Sequence, residues 1–83
     1  MKKIGVIENY FSKISVAVLD LTDGDLKVGD TIHIKGATTD YKQKVDSMQI
    51  EREEVEMVNK GLKVGLKTTE RVRKTDEVFL VEE

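Results

Sequence analysis

LKVGDTIHIKG, residues 26–36, contains both halves of the fold problem. Val28-Gly29-Asp30 reads as a tight corner, because Gly tolerates positive φ and Asp can hydrogen-bond the backbone of its own turn. Thr31-Ile32-His33-Ile34-Lys35 then alternates apolar and polar, the mark of a half-buried strand. Gly36 ends it and opens a polar loop, Ala37-Thr38-Thr39-Asp40.

The same period of two recurs outward from this stretch. Ile14, Val16 and Val18 fall on one face, with Lys13, Ser15 and Ala17 opposite. Met48 pairs with Ile50, and Val64 with Leu66, the latter against Lys63, Gly65 and Lys67. Ile4-Gly5-Val6-Ile7 opens the chain in the same manner. Val78-Phe79-Leu80-Val81 is continuously apolar, as in a strand covered on both faces or closing a barrel. Thr22-Asp23-Gly24-Asp25, Asn59-Lys60-Gly61 and Lys74-Thr75-Asp76 are turn signals. Glu51 to Lys60 has helix formers and the i, i+3 pair Val55 and Val58. Val55 and Met57 also alternate, and strand with loop is the preferred reading there. No internal repeat is visible. Six or seven short strands at this spacing predict an all-β barrel or sandwich. At 83 residues a single closed barrel is favoured, since closure removes exposed edges.

Composition narrows the chemistry. There is no Cys, so disulfides, thiolate nucleophiles and cysteine zinc sites are excluded. No apolar run approaches the roughly 20 residues of a membrane span. The opening residues are too short and polar for a signal peptide, so a cytoplasmic chain is expected. Charged residues make up 36% of the chain with a net charge of −2, unlike a uniformly basic nucleic-acid binder. No Gly-rich phosphate loop ends in Lys-Ser or Lys-Thr. The one histidine, His33, sits on the outward face of its strand with no nucleophile beside it in sequence. The acidic groups Glu53-Glu54-Glu56 and Asp20-Asp23-Asp25 read as solvated runs and turn chemistry rather than acid–base pairs. The expectation is a protein that is not an enzyme and needs no metal or cofactor.

The basic residues are the candidate site. Lys42 and Lys44 alternate on one strand, Lys63 and Lys67 flank Gly65 on another, and Arg71 and Arg73 form a tight group with Lys74. If these strands are neighbours, they form a positive patch able to track phosphates. Tyr10-Phe11 can stack on a base or staple a hairpin.

Several pieces taken together resemble the second domain of elongation factor Tu and related translational GTPases. They are Ile4-Gly5-Val6, Lys13 to Val18, Leu26 to Ile34 with its Gly-Asp corner, Lys44 to Ile50, Gly61-Leu62-Lys63-Val64-Gly65-Leu66, and Arg73 to Val78. In the last piece Thr75 stands where that family has Gly. The resemblance implies a translation-factor β-barrel without a GTPase domain. Aligned around Gly61, Arg52 falls on an Arg of the tRNA-binding family, while Gln49 and Lys63 replace a Glu and an Asn. The resemblance implies contact with tRNA, ribosomal RNA or the ribosome and carries over Arg52 alone; joined to the basic residues above, the expected contact set is Lys42, Lys44, Arg52, Lys63, Lys67, Arg71 and Arg73. The alternative it implies is a protein-interaction module docking on a separate GTPase or an RNA-modifying enzyme. Similar barrels occur as accessory C-terminal domains in the collagenase-like peptidase family, whose members act in RNA modification.

Overall fold

A computed structural model describes residues 1–82. Among them there is no helix, and ten strands follow one another: β1 (Lys2–Phe11), β2 (Val16–Asp20), β3 (Leu26–Lys27), β4 (Thr31–Lys35), β5 (Asp40–Lys44), β6 (Met48–Ile50), β7 (Glu53–Val55), β8 (Met57–Val58), β9 (Lys63–Lys67) and β10 (Glu77–Val81). The count exceeds six or seven because β3, β7 and β8 are too short to show alternation. The disputed segment 51–60 is strand and turn.

Eight strands form one sheet in the order β5-β4-β10-β1-β2-β9-β6-β7, while β3 pairs with β8 in a separate ribbon. All pairings are antiparallel. The sheet is not closed: β5 and β7 remain edges. This corrects the expected closed barrel. The strands curl around one core of Ile4, Ile7, Ala17, Leu19, Leu21, Leu26, Ile32, Ile34, Val45, Met48, Val58, Val64, Leu66, Val72 and Val78. Two irregularities in β1, between Lys3 and Gly5 and between Ile7 and Asn9, bend that long strand. Such bulges raise local twist and let a sheet wrap.

The Gly-Asp corner is a structural turn, and it occurs in three versions. At Lys27-Val28-Gly29-Asp30, Gly29 has φ 99°, the Asp30 amide donates to the Lys27 carbonyl (3.1 Å), and Asp30 Oδ2 accepts from the Lys27 amide (3.0 Å). At Arg73-Lys74-Thr75-Asp76, Thr75 has φ 76°, the Asp76 amide donates to the Arg73 carbonyl (3.1 Å), and Asp76 Oδ2 accepts from the Arg73 amide (2.8 Å). At Asn59-Lys60-Gly61-Leu62, Gly61 has φ 96° and the Leu62 amide donates to the Asn59 carbonyl (3.3 Å).

In each turn the third amide and the fourth carbonyl clasp both main-chain groups of one distant residue. That residue is Val45 for the first turn, Ile7 for the second and Leu21 for the third. Each turn then launches a core strand, β4, β10 or β9. The recurrence escapes a sequence search because only the positive-φ residue and, twice, the Asp are shared.

Thr75 is the costly member. A β-branched residue in the left-handed region loses roughly 1–2 kcal/mol. Thr75 is exposed, so little packing is lost on its removal. Thr75→Gly is expected to stabilise the protein by about 1 kcal/mol, net of the entropy glycine adds to the unfolded chain. An upward shift of the urea midpoint checks it; an unchanged or lower midpoint contradicts the strain argument.

Candidate functional site

The basic residues do not form one patch. Lys42 and Lys44 lie on edge strand β5, exposed, on either side of the inward-facing Gln43. Lys63 and Lys67 stand at opposite ends of β9, roughly 13 Å apart at about 3.3 Å per residue. The Lys63 ammonium is held by Glu8 at 2.8 Å, a contact that raises its pKa. Arg71 and Arg73 are exposed in the β9–β10 connection, pinned between them by buried Val72. Arg52 is at the two-residue β6–β7 turn, where both Glu51 (φ 51°) and Arg52 (φ 69°) are left-handed. Of the strands that carry them, β5 approaches the end of β9, where the side chain of Gln43, between Lys42 and Lys44, reaches the Lys67 carbonyl across an opening of the sheet.

Gln43, which the pattern of basic residues passes over, spans that opening. Its Nε2 donates to the Lys67 carbonyl at 3.1 Å. Its Oε1 accepts from the Thr69 amide at 3.0 Å and from Tyr41 Oη at 2.7 Å. Burial holds the Tyr41 phenol above its usual range, so it stays a donor. An open groove of about 430 Å³ lies beside the bridge, lined by Gln43, Asp46, Ser47, Lys67, Thr68 and Thr69. The available signal was parity: Gln43 occupies the inward register of a strand whose Lys neighbours point out.

His33 faces away from the core, as alternation predicts, but is not free. Its Nε2 contacts Asp40 Oδ1, and its Nδ1 lies 3.2 Å from the Met1 sulfur. The hydrogen bond from His33 holds the Asp40 carboxyl below its ordinary value; burial opposes this, and the charges of His33, Lys35 and Lys42 add to it. A carboxyl with a lowered folded-state pKa stabilises above its unfolded value and loses that contribution as pH falls through the folded one. The stability gap between the protein and Asp40→Asn is therefore expected to be full at pH 5 and to shrink below about pH 4. Urea unfolding at pH 5 and pH 2.5 measures it; a gap that widens on acidification contradicts the assignment.

The acidic candidates act in turns. Asp25 Oδ1 accepts from the Lys60 amide at 2.5 Å, and Asp23 Oδ2 from Thr22 Oγ1 at 2.9 Å. Among the described residues, no three His, Asp or Glu side chains converge as metal ligands, and no helix is long and apolar enough to cross a membrane. Tyr10 packs on the core, while Phe11 and Ile14 stand exposed at the β1–β2 hairpin tip, 48% and 61% accessible.

Against solved structures, the chain overlays the C-terminal domain of a Geobacillus thermoleovorans U32 peptidase with a TM-score of 0.89, over 98% of this chain and 93% of that one, at 13% identity. The fold is that of a U32 peptidase C-terminal domain. Its selenomethionine variant gives 0.88 over 95% and 99%. Curated relatives carry protease and collagenase names. An uncharacterised protease of Methanocaldococcus jannaschii is 45% identical over 98% of this chain, and a collagenase of Porphyromonas gingivalis 37% identical over 84%. The chain spans 20% of the length of each. No family model matches the chain.

These findings overturn the likeness to elongation factor Tu. With it go the translation-factor reading and the expected tie to tRNA, ribosomal RNA and the ribosome. The physical reason lies in what carried that likeness. Gly29-Asp30, Gly61 and Thr75-Asp76 are the three clasped turns, whose φ values and hydrogen bonds serve the backbone of a curled sheet. The accessory-domain alternative, which involved the collagenase-like peptidases, is the one the relatives favour.

Proposed function

We propose that this chain is a non-catalytic β-module that docks on the catalytic region of a U32-type peptidase. The observation that carries the reading is a pairing of likeness and chemistry. Nearly the whole chain matches one fifth of proteins named as proteases, and its one histidine is engaged on both ring nitrogens. A hydrolytic centre needs a free base beside a nucleophile or an activated water. The exposed apolar side chains Phe11, Ile14 and Met57 suit contact with another protein surface. We place the module in the cytoplasm, whose reducing environment suits a chain without cysteine.

The test has two arms. The isolated chain is expected to leave gelatin and casein uncut, and to co-elute with the catalytic region of a U32-type peptidase in size-exclusion chromatography. Phe11→Ser with Ile14→Ser is expected to weaken that association by about tenfold or more. Cleavage by the chain alone, abolished by a His33 substitution, overturns the reading.

A further inference from the structure

We propose that the open edge of β5 captures an extended acidic peptide by strand addition, with Lys42, Lys44 and Lys67 reading its carboxylates. This deepens the docking-module reading and rests on it only in taking the chain for a binder rather than a catalyst.

The edge is available on geometric grounds. β5 is the terminal strand of the large sheet, paired on one side with β4 alone. At its end the Val45 amide donates to the Asp30 carbonyl, and the Val45 carbonyl accepts from the Gly29 amide. Main-chain groups alternate along an antiparallel strand. Val45, Gln43 and Tyr41 therefore spend their amides and carbonyls on β4, and those of Lys42 and Lys44 point to the open side. An edge with two unpaired donors and two unpaired acceptors is a template for an added strand.

Charge decides the occupant. Lys42 and Lys44 are exposed, and no carboxylate lies within ion-pair distance of them among the described residues, where Lys3 and Lys63 each hold one. Lys67 stands on the opposite bank of the groove, with Ser47 and Thr69 supplying hydroxyls. Asp46 is the one acidic group in the lining. A second copy of this chain would bring its own Lys42 and Lys44 against the first pair, and like charges on facing strands repel. An extended strand with Glu or Asp at alternate positions meets the lysines instead, while its remaining side chains turn toward the groove. The Gln43 bridge forms the groove floor and stays in place.

The probe is a fluorescein-labelled octapeptide of alternating Glu and Val, titrated into the chain at low salt and followed by anisotropy and by amide exchange. Saturable binding with protection of the Lys42 and Lys44 amides is expected. Lys42→Glu with Lys44→Glu should raise the Kd about tenfold or more. N-methylation of alternate peptide amides should do the same at unchanged charge. Three results overturn the proposal: no binding at low salt, undiminished binding of the N-methylated peptide, or equal binding of a Lys-Val octapeptide. Concentration-dependent dimerisation that protects the same amides without peptide also overturns it, in favour of self-pairing. None of these results bears on association with the peptidase region, so failure here is separable from failure of the docking reading.

Discussion

Gly5→Ala should cost about 3 kcal/mol and leave the protein on the verge of unfolding at 37 °C. Gly5 is buried in β1 where that strand bulges against β10 and pairs with β2. A Cβ there would lie 2.2 Å from the Asp20 carbonyl oxygen, 3.0 Å from its carbon and 3.2 Å from Leu19 Cδ1. Two of the three obstacles are backbone, which cannot rotate away. The Asp20 carbonyl also accepts from the Thr22 amide at 3.0 Å, and Leu21 beyond it is clasped by the Gly61 turn. Relief therefore requires β1 to separate from β2 or the clasp to slip. Overpacking costs roughly 1–3 kcal/mol, and a backbone clash belongs at the upper end. A domain of this size holds about 3–5 kcal/mol in total. Gly29→Ala is the control: its Cβ would meet open space, so only the φ of 99° is penalised, at about 1 kcal/mol. Thermal melts of the two variants decide the matter; Gly29→Ala melting below Gly5→Ala would falsify the close-approach account.

Gly5 also shows where reading the sequence stops. Alternation places Ile32 and Ile34, and Val64 and Leu66, on the core face, and the structure buries all four. The same rule applied to β2 selects Ile14, Val16 and Val18, yet the buried residues are Ala17 and Leu19, with Ile14 61% exposed. The face is set by the hairpin: Phe11 pairs with Val16, and Ser15 takes a left-handed φ of 55° to close the loop. Once Val16 is fixed there, Ala17 must point inward, and a small side chain at that position hides the pattern. In β1 the bulges bring Ile4 and Ile7 to the same side at a spacing of three, which no period of two predicts.

Strand existence is a local property and was legible. Strand pairing depends on non-local contacts, so the sequence pattern could not distinguish a closed barrel from a sheet whose edge strands β5 and β7 stay unpaired. Candidate sites suffered likewise. Lys63 looked like a phosphate ligand until its partner Glu8, 55 residues away, was seen beside it.

The open seam supplies the second large effect. Gln43→Leu should destabilise the protein by about 2 kcal/mol although leucine still fills the site with an apolar side chain. Gln43 is 8% exposed and makes the cross-seam bonds to Lys67 and Thr69 that main-chain pairing would make in a closed barrel. Leucine leaves the Lys67 carbonyl, the Thr69 amide and the Tyr41 hydroxyl without those partners. Each buried group so orphaned costs roughly 1–3 kcal/mol, and the groove admits water that recovers part of it. Gln43→Glu separates bonding from shape. At pH 7 its carboxylate still accepts from Thr69 and Tyr41 but turns a second oxygen on the Lys67 carbonyl. Protonation restores a donor there, so the Glu variant should recover stability relative to the parent on acidification, while the Leu variant should not. Faster exchange of the Thr69 amide in Gln43→Leu completes the signature. Parental stability with an unchanged Thr69 amide would mean that packing of Val45 and Val72, rather than this bridge, holds the seam together.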